Sequence, residues 1–170
     1  MSADLKNTAT ANGVPSAAGK YLTFMLGRES YGIPALKVRT IIRLPDITPV
    51  PQMPDYIRGV INLRGKVIPV LDLRLKFHLS DGAFNERTCI IVLQVGFPAG
   101  STTQVGIIAD AVEEVVLIPH NDVESSPNFG ANLSTECILG MAKVRGAVKT
   151  LLDVDRVFSW SSLEMVAHRK

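Results

Sequence analysis

Apolar and polar residues alternate in short runs along most of this chain. Tyr21–Leu26 sets Tyr, Thr and Met against Leu, Phe and Leu, the period of two that fits a strand with two unlike faces. After a break at Gly27–Ser30, Tyr31-Gly32-Ile33 begins a second extended piece, and Val38–Leu44 is dense in β-branched side chains that suit a pleated surface. Four prolines fall within Pro45–Pro54. Each removes a backbone donor and fixes φ, so this stretch reads as a stiff extended connection. Gly59–Leu63 and Lys66–Leu71 read as two strands around a turn at Arg64-Gly65. Pro69 cannot donate to a ladder, which predicts an edge or a bulge for the second of them. Cys89–Val95 is apolar apart from Gln94 and reads as a buried strand, and Val105–Ala109, Val112–Ile118, Ile138–Arg145 and Val148–Leu152 continue the pattern. Asp153 is placed to cap a short terminal helix through Phe158, with Leu152, Phe158 and Leu163 available for docking.

The strands repeat. Gly59–Phe77 lies on Gly140–Phe158 at an offset of 81 without a gap, with Gly, Arg, Gly, Val, Leu, Asp and Phe recurring. Upstream, Gly32–Val38 matches Gly106–Val112 at an offset of 74, and Ile41-Ile42 meets Val115-Val116. The chain therefore reads as a duplicated β unit, one copy over about 20–84 and the other over about 85–158. A copy of that size closes most readily on itself as a small barrel packed against its twin. The expected fold is mainly β: two small five-stranded barrels side by side and a short C-terminal helix. Barrel one is expected over about 32–84 and barrel two over about 85–158, with the strand at 20–28 available to either. Residues 1–19 and 161–170 are expected to be tails.

A feature present in both copies is a candidate folding requirement. Gly65 and Gly146 supply a turn conformation that a Cβ opposes. Asp72 and Asp153 are placed to bond backbone after the strand. Features of one copy only are better candidates for function, and these are Asn62 (Lys143 in the twin), Pro69 (Thr150) and the four-proline segment. Arg64 is ambiguous because Arg145 shares its place, although a turn needs the glycine and not an arginine beside it.

Composition narrows the classes. Apolar residues make up 46% and charged residues 20% of 170 residues, enough for a core. A net charge of +2 is small for a general nucleic-acid binder. No apolar run approaches the roughly 18–20 residues that span a bilayer, and the N-terminus does not read as a secretory signal. Cys89 and Cys137 stand apart with no metal-type spacing, which fits a reducing cytoplasm. Cys89 is expected buried and inert, Cys137 partly exposed. His78, His120 and His168 have no neighbours that suggest a triad or a metal site, and Glu113-Glu114 projects to opposite faces of a strand, a poor acid–base pair. No enzyme, cofactor or metal is expected. A barrel that binds nucleic acid or a small ligand is the alternative class. Arg39, Arg43, Arg58, Arg64 and Lys66 gather in the first copy and favour it, whereas an aromatic content of 6% offers few stacking platforms.

Tyr31-Gly32-Ile33, Val38–Ile42, the proline-rich linker and the run Gly59–Arg74, with Asn62-Leu63-Arg64-Gly65 followed by Val67-Ile68-Pro69-Val70-Leu71-Asp72-Leu73, together resemble the CheW family of bacterial chemotaxis coupling proteins. The resemblance runs from about Tyr21 to Phe158. It implies two SH3-like barrels with a groove between them and an adaptor without chemistry of its own. Its partners would be the cytoplasmic tip of a chemoreceptor helical hairpin and the regulatory domain of the histidine kinase CheA, with self-association in array rings. The protein would be cytoplasmic, recruited to membrane-associated arrays, and a stand-alone adaptor.

Carried over residue by residue, the receptor-facing candidates are Val38, Thr40, Ile41, Asn62 and Arg64. Gly59 is a weak candidate for kinase contact, with strand geometry the favoured reading. An apolar groove suits an amphipathic hairpin, with Ile41 supplying apolar area and Arg64 a donor fork for a helix-surface carboxylate or carbonyl. One departure stands out. The family commonly reads Val-Arg-Glu-Ile where this chain has Val38-Arg39-Thr40-Ile41. The missing carboxylate implies a divergent receptor set, or a kinase pathway with another output such as pilus-driven motility.

Overall fold

The computed structural model describes residues 19–79, 82–96, 100–124 and 137–157. Eleven strands appear among them: β1 (Gly19–Leu26), β2 (Glu29–Pro34), β3 (Val38–Arg43), β4 (Ile57–Leu63), β5 (Lys66–Leu71), β6 (Cys89–Gly96), β7 (Thr102–Ala109), β8 (Ala111–Ile118), β9 (Val123–Glu124), β10 (Ile138–Val144) and β11 (Ala147–Leu152). Two single-turn helices follow equivalent strands, α1 (Leu73–Lys76) and α2 (Val154–Val157). Of the tail expected over residues 1–19, Gly19 instead opens β1; the rest of it, the tail expected over 161–170, the docking of Phe158 and Leu163, and His168 lie outside the described residues.

The repeat is visible in the element bounds. β4, β5 and α1 begin and end 81 residues before β10, β11 and α2. Both strand pairs break register at the same place, between Ile57 and Gly59 in one and between Ile138 and Gly140 in the other.

The strands form two sheets, in the orders β3-β6-β7-β5-β4 and β8-β1-β2-β11-β10-β9. In the first, the chain leaving β3 reaches β4 through the Thr48–Val60 bridge, whose two backbone bonds are 2.9 and 2.8 Å. In the second, the chain leaving β8 reaches β10 as β9. Each sheet thus curls until the continuation of its first strand meets its last, giving a small SH3-like barrel. We call these barrel one and barrel two. Barrel two has six strands rather than five because Val123–Glu124 forms a short strand where barrel one has a single bridge.

The barrels do not divide the chain at 84/85. The hairpin β6–β7, from the second copy, completes barrel one by pairing with β3 and β5. The hairpin β1–β2, from the first copy, completes barrel two by pairing with β8 and β11. The strand at 20–28 therefore belongs to barrel two. The physical reason is that a local pattern fixes a strand and its buried face but not its partner, and here each hairpin pairs with the other copy.

Pro69 meets its expectation only in part: the β4–β5 ladder carries a bulge at Arg58, opposite Val70 and Leu71. β5 lies between β4 and β7, not at an edge. Its parallel ladder with β7 holds only Val70↔Gly106 and Leu71↔Ile107, so the missing N–H falls just before that ladder starts. In barrel two, the equivalent Thr150 is paired with Tyr31.

Three apolar clusters hold the molecule together. Ile61, Ile68, Val70, Ile90, Val92 and Ile108 fill barrel one. Tyr21, Ile118, Ala142 and Leu151 fill barrel two. The largest cluster lies between them and draws on both, including Phe24, Tyr31, Ile33, Leu71, Phe77, Ile91, Leu93, Ile107, Leu152 and Val154. At about 1.5–3 kcal/mol for each large aliphatic side chain fully buried, this shared layer outweighs any single polar contact across the seam. The seam is packed with side chains, so a docking partner has access to its rim and not its interior.

Candidate functional site

The candidate residues lie on two elements. β3 alternates half-buried Val38, Thr40 and Ile42 with exposed Arg39, Ile41 and Arg43. A bulge at Arg39 shifts the register against β6. Val38 packs against the shared core, while Ile41 is 43% exposed. Arg39 donates through Nε to Gln94 Oε1 at 2.8 Å, and Gln94 donates on to Thr102.

Asn62 and Arg64 belong to the β4–β5 turn. Arg64 and Gly65 have φ of 54° and 85°, the pair of positive values that a two-residue type I′ hairpin turn demands. The Gly65 N–H donates to Asn62 Oδ1 at 2.9 Å. Arg145 and Gly146 repeat this conformation at 51° and 85°, with Lys143 where Asn62 stands. Asn62, a candidate for partner contact, thus has its oxygen engaged by its own turn. Arg64 is exposed and makes no ion pair among the described residues. The described hydrogen bonds do not join the β3 candidates to those of the turn.

Gly59 sits where barrel one closes. Its φ is 147°, and a Cβ there would meet Thr48 O at 2.1 Å. At Gly140 a Cβ would meet Glu124 O at 2.7 Å. Both glycines let the closing strand approach, which accounts for Gly59 by strand geometry.

Asp72 and Asp153 cap the two short helices, accepting from Arg74 N at 3.0 Å and Asp155 N at 3.1 Å. Asp72 carries more than a cap. It is fully buried with Arg74, at 3.0 Å, and also bonds Arg58. Burial alone would raise its pKa. Hydrogen bonds from Arg74 and Arg58 and the Arg74 charge outweigh that and hold the carboxyl below its ordinary value. Arg74 then reaches Asp110 at 3.0 Å, and Asp110 accepts from Gly27 N. One buried guanidinium thereby clasps barrel one to the β1–β2 turn of barrel two. On the other side, Asp155 pairs with Lys37 at 3.1 Å and accepts from Gly96 N at 3.0 Å. In this second clasp Asp155 stands 81 residues after Arg74 with the charge reversed, while Lys37 lies one residue past Leu36, the position that the offset of 74 matches to Asp110. Sequence reasoning did not single out Arg74, because nothing local marks a buried arginine whose partner Asp110 is 36 residues away.

On β8, the equivalent of β3, Glu113 accepts from Ser30 Oγ and pairs with Lys149 at 3.2 Å. Glu114 is paired with Arg145. The adjacent carboxylates thus take separate structural partners.

Among the described residues no group of three or more His, Cys, Asp and Glu is placed to hold a metal ion. His78 and His120 are exposed. Cys89, expected buried, is only half-buried at the start of β6, although burial still raises its thiol pKa, and Cys137, expected to be partly exposed, is buried with Sγ donating to Arg156 O. Its sequence neighbours, Thr135 and Glu136, gave no hint that α2 folds over it. Among the described residues no helix is long and apolar enough to cross a membrane. Of the five basic residues that favoured nucleic acid, Arg58 is tied to Asp72 and Arg39 to Gln94.

Comparison with known proteins covers most of the chain. The family model of the CheW-like domain matches residues 20–162. The chain is 34% identical over 147 residues to the chemotaxis protein CheW of Klebsiella aerogenes, covering 86% of each. It is 30% identical over 151 residues to that of Treponema pallidum, again covering 86% of each. Its fold is similar to the crystal structure of the scaffolding protein TtCheW from Thermoanaerobacter tengcongensis, with a TM-score of 0.75 and 30% identity over 85% of this chain and 90% of that one. These likenesses do not favour the nucleic-acid or small-ligand alternative.

Proposed function

The chain belongs to the CheW-like domain family, and from that premise we propose that it is a non-catalytic adaptor joining the cytoplasmic tips of chemoreceptors to the histidine kinase CheA. The observation that supports this reading is that barrel one exposes Ile41 on β3 and Arg64 on the β4–β5 turn, each held on a rigid sheet. A preorganised surface of this kind fits a helical hairpin laid along it. The kinase regulatory domain would engage another part of the double barrel, and further copies would meet in array rings. The protein itself would stay in the cytoplasm and be held at the membrane only through receptors.

The test is co-sedimentation of the purified chain with receptor-containing membranes, with and without CheA. The reading requires the chain to pellet with receptors and to raise the amount of kinase that does so. Kinase recovery that is indifferent to the chain would overturn it.

A further inference from the structure

The two exchanged hairpins are held differently. β6–β7 is tied to the rest of the chain at both ends, through the segment after α1 and through the turn into β8. Among the described residues β1–β2 is joined at one point, the single turn Ala35–Lys37 that leads into β3. Apart from each other, β1 and β2 pair only with β8 and β11 of barrel two, whereas that turn delivers the chain to barrel one. The turn itself is slight. It buries no residue, has no side-chain cap, and is closed by one backbone bond from Val38 N to Ala35 O. Pro34 enters it with φ of −57° and ψ of 128°, close to the extended polyproline conformation. Lys37 at its far end is fixed by Asp155 at 3.1 Å, so Ala35 and Leu36 form the pivot. Leu36 is 92% exposed, the most exposed large apolar side chain among the described residues.

We propose that the β1–β2 hairpin is exchanged between two copies of this chain, and that Leu36 of one copy then packs on Leu36 of the other. Straightening the turn breaks one backbone bond and uncovers no core residue. The released hairpin docks on β8 and β11 of the second copy, which returns its own. Tyr21, Phe24, Tyr31 and Ile33 regain the surroundings they have in the single chain, and the ladders are rebuilt pair for pair, so the exchange costs little once the hairpin has left. The new contact lies where the two straightened turns pass each other at the twofold axis. There each Leu36 covers apolar area that the single chain leaves in water. A turn this short favours the exchange, because it allows the hairpin few ways back to its own barrel two once straightened. β3 and the β4–β5 turn take no part, so the dimer carries the barrel-one surface twice.

The test is to refold the full chain from urea at high protein concentration and to separate the products by size-exclusion chromatography with light scattering. A dimer is expected that survives dilution, because its release requires a hairpin to leave barrel two. Lys20 and Leu117 are exposed partners across the β1–β8 ladder and report which chain supplies the hairpin. In the dimer of the double variant Lys20→Cys/Leu117→Cys, oxidation should join the two chains, seen as a covalent dimer on a non-reducing gel. A disulfide confined within each chain would mark an ordinary surface contact and overturn the inference, as would the absence of any dimer. Leu36→Ser should leave the melting temperature of the monomer unchanged and lose most of the dimer. A Gly-Ser-Gly spacer inserted between Ala35 and Leu36 should also lose most of it, since a longer hinge lets the hairpin return to its own chain. Dimer yield indifferent to both changes would reject the hinge.

Discussion

The two barrels share strand order, bulges and turn geometry, yet they dispose of their charged groups differently. Barrel two spends them internally: Glu114 on Arg145, and Glu113 on Lys149 and Ser30. Barrel one has Thr40, Arg39 and Ile68 at the matching positions, and its turn arginine has no ion-pair partner among the described residues. In the clasps the order is reversed. The one anchored by barrel one is the buried Arg74, 1% exposed, against Asp72 and Asp110, while its counterpart Lys37–Asp155 is about one third exposed. Duplication therefore gave one copy of the surface a closed set of contacts and left the other open. Equivalence of backbone does not carry equivalence of function.

The sharpest way to break this comparison is at the clasps. Arg74→Ala should cost about 3–5 kcal/mol, because it strands two carboxylates in or near the core. Lys37→Ala should cost about 0–1 kcal/mol, as for exposed pairs. Urea denaturation of both variants tests the asymmetry, and equal losses would refute it. The same network sets the acid response. Asp72 has its folded pKa held below the ordinary 3.8, so its contribution is present above that value and disappears as pH falls through the lower, folded one. Stability should fall with acid more steeply in the wild type than in Asp72→Asn.

At the closure points the next largest effect is expected. Gly59→Ala should destabilise by about 2 kcal/mol or more, since it combines a positive φ with a collision against Thr48 backbone. Gly140→Ala should cost less, having only the contact with Glu124 and Val123. A thermal melt in which Gly140→Ala is the worse of the two would reverse the ranking.

In the turns, where the barrels agree, Gly65→Val and Gly146→Val should each cost at least ~1 kcal/mol, given φ of 85° at both. Calorimetry showing either to be neutral would remove the strain argument. Within the turns the smaller effect belongs to Asn62→Ala, which loses one bond to Gly65 and should cost about 0.5–1.5 kcal/mol. Lys143→Asn should recover part of that amount in barrel two, measured by the shift in melting temperature.

Much of this was legible in the sequence because it is local. The run at offset 81 placed β4, β5 and α1 on β10, β11 and α2, and the Arg-Gly turns follow from the need for left-handed backbone. Pairing was not legible. Nothing in Tyr21–Leu26 says that its neighbour is β8, and nothing in Cys89–Gly96 says that it pairs with β3, because alternation specifies a face and not a partner. Thr40 stood out against the family pattern and Arg64 against the needs of its turn. The offset of 74 already set Thr40 upon Glu114; what the sequence did not show is that Glu114 pairs with Arg145. Arg74 and Cys137 were misjudged or missed for one reason: the groups that bury them come from distant segments.

The exchange of hairpins between copies has a consequence for how the molecule can be taken apart. Neither repeat unit carries the strands needed to finish a barrel, so an isolated half would be left with open sheet edges and half a core. Melting should be a single cooperative event. Two separately synthesised halves would be expected to find each other and rebuild the whole, as fragments of a split reporter do, where a simple pair of beads on a string would yield two autonomous folds.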